Sequence, residues 1–199
     1  MYQLIATFIC LPARLRTLGK PRFLSGEHGL TGAERGTAIH LAMQYLDFTG
    51  PATVETVRTQ VAQMLERRLL TPEQAEAVDL RAIARFLQSD VAARIRRSDN
   101  VLREYRFSIL YPAQAVDAAA RSGDEVLLQG VVDCFFEEDG ELVVLDFKTD
   151  HITHAQLAER REHYRSQLES YAAALERIMG MRVKEKLLYF FSIGECSAL

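Results

Sequence analysis

Asp133, Asp146 and Lys148 lie in two adjoining apolar segments, Gly130-Val131-Val132-Asp133-Cys134-Phe135-Phe136 and Leu142-Val143-Val144-Leu145-Asp146-Phe147-Lys148-Thr149. A lone ionised carboxylate is costly among β-branched and aromatic neighbours, so each aspartate needs a partner. Between the segments stands Asp139-Gly140, the strongest short signal for a two-residue hairpin turn. Such a turn sets Glu138 against Glu141 and, counting back along both strands, Asp133 against Asp146. Their Cβ atoms are then expected about 4.5–5.5 Å apart on one face, with Lys148 on that face two residues further on. Opposed carboxylates repel, and a divalent cation between them resolves the conflict. A cation of this kind polarises a phosphoryl oxygen and lowers the pKa of bound water. The ammonium orients the attacking water and stabilises charge on the phosphorane oxygens. Phosphodiester hydrolysis is the chemistry such a set suits. A buried structural ion-pair network is the alternative for the same residues. In the metal-free state, Asp133→Ala is expected to raise stability by relieving carboxylate repulsion.

The elements that must hold these residues follow from periodicity. Thr31-Gly32-Ala33-Glu34 has the form of a capped helix start, and a helix is expected over Ala33–Phe48. Thr53–Leu69 and Pro72–Leu87 read as helices, with Pro72 suited to a first turn, and Gln88–Arg97 as their arginine-rich continuation. The period then changes to that of strands over Val101–Tyr111, Glu125–Glu138, Glu141–Asp150 and Lys184–Ile193. His154–Gly180 is expected to be a long amphipathic helix, with Leu157, Tyr164, Leu168, Tyr171, Leu175 and Ile178 forming its apolar stripe. A strand–strand–helix–strand order makes that helix a crossover on the sheet. The fold class is therefore α/β: a mixed sheet flanked by helices, with residues 1–100 as a helical annex and 101–199 as the sheet core.

Composition bounds the class without identifying it. The chain has 199 residues, 48% hydrophobic and 26% charged, enough for one domain with a sizeable core. No apolar stretch reaches the ~18 residues of a membrane span, and the apolar opening Tyr2–Pro12 reads as a structured terminus, not a signal peptide. Cys10, Cys134 and Cys196 are too few and too scattered for a CxxC zinc site or an iron–sulfur cluster, and suit a reducing cytoplasm. The net charge of −3 is unevenly spread: residues 124–150 carry nine acids against Lys148 alone, whereas residues 81–106 carry seven arginines against three acids. The acidity lies where a cation is expected. The arginines either form a nucleic-acid footprint or solvate helix faces.

The pattern Gly130-x-x-Asp133-x-x-Phe136 followed by Asp146-Phe147-Lys148-Thr149-Asp150 resembles the RecB-type nucleases of the PD-(D/E)xK superfamily, which have a restriction-endonuclease-like fold. It is most similar to the C-terminal nuclease domain of the AddA helicase–nuclease subunits. Three further stretches agree in order and spacing: Gly36-Thr37-Ala38-Ile39-His40 with the GxxxH helix, Arg103-Glu104-Tyr105-Arg106-Phe107 with the Arg-Glu strand, and Gln167-Leu168-Glu169-Ser170-Tyr171 with the QxxxY motif. The likeness covers residues 21–193.

The resemblance implies that His40, Asp133, Asp146 and the backbone carbonyl of Phe147 ligate Mg²⁺ or Mn²⁺, and that Lys148 is the catalytic lysine. Gln167 and Tyr171 would line the site and hold the DNA strand. Glu104 would be an accessory acid near the metal, or would hold Lys148. Judged alone, His40 reads as a structural helix histidine and Tyr171 as a packing residue. His28, His151, His154 and His163 fit no motif. Iron–sulfur relatives need four cysteines, which favours the AddA branch here. No GxxxxGK[ST] loop is present, so the chain is expected to be a single nuclease domain, 1–199, excised from a longer helicase–nuclease. The function implied is a metal-dependent DNA exonuclease acting on single-stranded ends fed by a helicase motor in the same chain, with an AddB-like partner subunit, in double-strand-break repair and recombination. The alternative is a non-catalytic DNA-binding or docking module on the same fold.

Overall fold

A computed structural model describes residues 30–115 and 119–199, together with the backbone of Ile9 and Cys10. The expectation for Tyr2–Pro12 otherwise lies outside the described residues. Thr31 opens α1 (Gly32–Tyr45) through a reciprocal capping box with Glu34, satisfying two of the backbone donors left open at a helix start. Thr53 caps α2 (Val54–Glu66). The expected helix over Pro72–Leu87 divides into α3 (Pro72–Ala77) and α4 (Leu80–Leu87). The break falls at Asp79, whose carboxylate accepts the N–H groups of Arg81 and Ala82 and starts a new helix. Ser89 likewise caps a separate α5 (Asp90–Arg97), so the arginine-rich segment does not continue α4.

Five strands follow the annex elements: β2 (Val101–Pro112), β3 (Glu125–Glu138), β4 (Glu141–Lys148), β5 (Val183–Phe190) and β6 (Glu195–Ala198). The short β1 (Ile9–Cys10) pairs parallel with β3. The hairpin register is the one counted from the turn, with Glu138 opposite Glu141 and Cys134 opposite Leu145. Asp139 and Gly140 have φ of +56° and +78°, the left-handed pair that a type I′ turn requires. β4 and β5 run parallel, joined by α6 (Leu157–Met179) as the crossover. β6 has no counterpart among the strands expected from periodicity. It returns antiparallel to β5 after a turn closed by Gly194 at φ +72°.

The sheet divides two cores. Phe136, Val143, Leu145, Phe147, Leu187 and Tyr189 face the annex helices. Phe135, Leu142 and Val144 face Tyr171, Ala174 and Leu175 of α6, with Leu188 and Phe190 against Leu168 continuing that side. Strand alternation thus places Asp146 and Lys148 on the α6 side, while Asp133 lies where β3 changes sides, between Val132 facing α6 and Cys134 facing the annex. Four of the seven arginines at 81–106 join separate elements, three of them across the helix and sheet layers. Arg85 donates to the Phe191 carbonyl and Arg96 to that of Leu87 at 2.8 Å. Arg94 spans Glu138 and Glu185, and Arg103 donates to the carbonyls of Met43 and Leu46. Arg85, Arg94 and Arg103 thus tie helices to the sheet, and Arg96 ties α5 to α4.

Candidate active site

Strands β3 and β4, the middle of α1 and the first half of α6 converge on one open cleft of about 420 Å³. His40, Glu104, Asp133, Asp146, Phe147, Lys148, Gln167 and Tyr171 all line it, so every residue singled out in the sequence meets there. They form two sets.

The first set centres on Asp133. Its Oδ1 lies 3.1 Å from His40 Nδ1, and its Oδ2 accepts the Phe147 N–H at 2.7 Å. Arg103, clamped on the last carbonyls of α1 with its guanidinium over Phe48, fixes the helix that presents His40. On β2, Arg103 pairs with Cys134 and Tyr105 with Val132, so Glu104 stands opposite Asp133. Glu104 has φ of +50°, a left-handed conformation inside a strand that costs on the order of 1–3 kcal/mol. Its carboxylate oxygen lies 3.9 Å from His40 Nδ1, and the ligating atoms of His40, Glu104 and Asp133 fall within 4.8 Å of one another. This strained Glu104 therefore stands beside the histidine.

One imidazole and two carboxylates make a nitrogen–oxygen donor set that fits a hard or borderline divalent cation such as Mg²⁺ or Mn²⁺. The neighbouring Cys134 packs into the annex-side core, and burial pushes its thiol up to about 12, so it offers no thiolate.

The second set centres on Lys148. Its ammonium lies 2.6 Å from Asp146 Oδ2, donates to Gln167 Oε1 at 3.0 Å and sits 3.7 Å above the centre of the Tyr164 ring. The Asp146 contact is short but off hydrogen-bond geometry, and that oxygen has no other donor. Gln167 gives its amide N–H to Tyr171 Oη at 2.8 Å, which turns the amide oxygen toward the lysine. Gln167 and Tyr171, four residues apart, share the helix face. Gly130 makes room for this arrangement: a Cβ there would lie 2.8 Å from the Phe107 ring and 3.0 Å from that of Tyr171.

The two aspartates face different electrostatic fates. Burial pushes the Asp133 carboxyl up, but the charges of His40 and Lys148 and the hydrogen bonds from His40 and the Phe147 N–H outweigh it and hold it below the ordinary range. Burial, then the charge on Asp133, pushes Asp146 up to about 6 against the pull of Lys148. Asp146 is 2% exposed and Lys148 9%, so this pair is shielded from bulk water. Two carboxylates of one cleft held apart in acidity is a pattern that accompanies acid–base work.

Asp146 lies outside the His40–Glu104–Asp133 cluster because Lys148 holds it, and Phe147 enters the site through its N–H. Tyr164 and Asp150 are site residues that sequence reasoning misses. By sequence, Tyr164 falls on the apolar stripe of α6 and Asp150 at the close of a strand. The available signal is spacing, since Tyr164 precedes Gln167 by three residues.

Residues 13–195 match the PD-(D/E)XK nuclease superfamily. The chain is 40% identical over 189 residues to an ATP-dependent helicase/nuclease subunit of Ruminiclostridium cellulolyticum, covering 93% of this chain and 15% of the relative. It is 42% identical over 179 residues to the protein of the same name in Acetivibrio thermocellus, covering 88% and 14%. Against that of Clostridium acetobutylicum it is 38% identical over 196 residues, covering 96% and 15%. The chain thus spans about one seventh of the length of these relatives.

Proposed function

Since the chain belongs to the PD-(D/E)XK nuclease superfamily, we propose that it is the nuclease module of a helicase–nuclease and hydrolyses DNA phosphodiesters with a divalent cation. The observation that carries this reading is the joining, in one cleft, of the His40–Glu104–Asp133 donor set with the shielded Asp146–Lys148 pair. His40, Glu104 and Asp133 would hold Mg²⁺ or Mn²⁺, with Asp146 and the Phe147 carbonyl as the further ligands the motif resemblance implies. When bound, the cation supplies positive charge to a phosphoryl oxygen and acidifies water.

The chain's own groups do the rest. Lys148, freed from part of its contact with Asp146 as a phosphate approaches, offers its N–H groups to the attacking water and to the non-bridging oxygens, where charge builds. Gln167, fixed by Tyr171, keeps the ammonium aimed into the cleft. The open cleft admits a single strand, and action on ends as an exonuclease follows if a motor feeds that strand. The helicase in the same chain, an AddB-like partner, a role in repair and recombination and a cytoplasmic setting are part of this proposal. The name shared by the relatives supports the helicase, and the motif resemblance implies the rest. No helix among the described residues is long and apolar enough to cross a membrane.

The test is release of label from end-labelled single-stranded DNA with Mg²⁺ or Mn²⁺, for the wild type, Asp133→Ala and Lys148→Ala. Loss of cleavage in both variants is expected. Cleavage unchanged in both would sink the proposal, and strand binding without cleavage by the wild type would favour a non-catalytic docking module.

A further inference from the structure

Lysine has three N–H donors and no acceptor, and the Lys148 ammonium rests against three partners: Asp146 as an ion pair, Gln167 by a hydrogen bond and the face of Tyr164. The first two belong to the motif set. The third does not, and it is itself braced, because the Tyr164 hydroxyl donates to Asp150 Oδ2, two residues beyond the lysine. The ring also meets His163 and Phe190, with centroids 4.9 and 6.5 Å away. An ammonium over an aromatic face is held by the ring's quadrupole, and the attraction strengthens where water is excluded. Among the three contacts, that to Asp146 is the one a bound cation or an arriving phosphate competes for. The ring face carries no charge and is not drawn away.

We propose that Tyr164 is a positioning residue whose ring face holds the Lys148 ammonium over the cleft while its contact with Asp146 is exchanged for substrate. The proposal rests on the hydrolytic reading above only for its consequence in turnover; the contact has a signature of its own. Protons on the carbon next to Nζ lie in the shielding cone of the ring, so the Lys148 ε-methylene resonance falls upfield of the other lysines.

The experiment compares the full 199-residue chain with Tyr164→Phe, Tyr164→Trp and Tyr164→Leu, with Lys148→Ala and Lys148→Arg to assign the resonance. Phenylalanine and tryptophan keep a π face and are expected to keep the upfield resonance, with kcat within about threefold of the wild type. Leucine abolishes the shift and lowers kcat about tenfold with KM within about twofold. Tyr164→Met serves as the ring-less variant should leucine prevent folding. A wild-type ε-methylene resonance at the ordinary position overturns the proposal at once. So does a leucine variant that raises KM at unchanged kcat, which would make the ring a base-stacking platform, or a phenylalanine variant as impaired as leucine. If Lys148→Ala is inactive while Tyr164→Leu keeps full kcat, this proposal fails alone; if Lys148→Ala cuts like the wild type, the hydrolytic reading fails.

Discussion

The carboxylate of Asp133 accepts the Phe147 N–H across the hairpin at 2.7 Å while its other oxygen faces His40 at 3.1 Å. From the sequence, two opposed carboxylates imply that truncating Asp133 relieves repulsion. The contacts of Asp133 argue for the opposite sign. Asp133→Ala leaves the part-buried Phe147 N–H without its acceptor, which costs about 1–3 kcal/mol, and removes the partner of His40. Chemical denaturation should show Asp133→Ala destabilised, and Asp133→Asn recovering most of the loss because its amide oxygen can still accept. Asparagine should not restore cleavage. An alanine variant more stable than the wild type would refute this account.

Gly130 lies against two aromatic rings that in turn set the site. Gly130→Ala drives a methyl group into Phe107 and Tyr171, and overpacking of this kind costs about 1–3 kcal/mol. Tyr171 is the residue that holds the Gln167 amide, so turnover should fall further than stability alone explains. Activity measured well below the melting temperature, beside the melting curve itself, separates the two effects. Wild-type turnover in the alanine variant would show that the ring positions do not matter.

Cation binding should be visible without any substrate. At a free Mg²⁺ or Mn²⁺ concentration about 100 times its dissociation constant, a ligand that binds only the folded state adds about 2.7 kcal/mol. For a domain of this size that is about 2–4 °C of melting temperature per kcal/mol. Thermal shift titrations should show such a rise for the wild type and lose it in His40→Ala and Glu104→Ala. A rise that survives in both places the ion elsewhere.

Far from the cleft, Glu138 gives a pH dependence of defined sign. Its hydrogen bonds from Arg94, then from Lys184, hold it at about 2, below its ordinary 4.5. The unfolded chain therefore binds this proton more readily than the folded one, and stability falls as pH drops through that interval. Glu138 is partly exposed, so water screens the effect and the contribution is modest. In urea titrations, the stability advantage of the wild type over Glu138→Gln should be full at pH 7 and shrink toward pH 3. A gap that widens on acidification would contradict the pairing.

Short-range chemistry makes much of this molecule readable. The Asp139-Gly140 turn admits only a narrow choice of backbone, and its two-residue loop sets the pairing behind it, which holds from Glu138–Glu141 to Cys134–Leu145. Thr31, Thr53 and Thr71 mark helix starts by accepting backbone N–H groups three residues on, the last with Pro72 in the first turn. Asp79 and Ser89 do the same, but their signal is outweighed by helical periodicity on both sides.

What stays hidden depends on partners remote in the chain. The arginines at 81–106 look like a charged face in a string of letters, yet Arg85, Arg94 and Arg103 end on carbonyls and acids that arrive from other layers. Glu104 meets His40 because its backbone turns left-handed within β2, a strain that no local propensity favours and only the packed sheet can maintain. Tyr164 becomes more than a stripe residue once the crossover lays α6 over the end of β4. Bonds between near neighbours are encoded where they form. Contacts between strangers are selected by the burial and close packing of the whole fold.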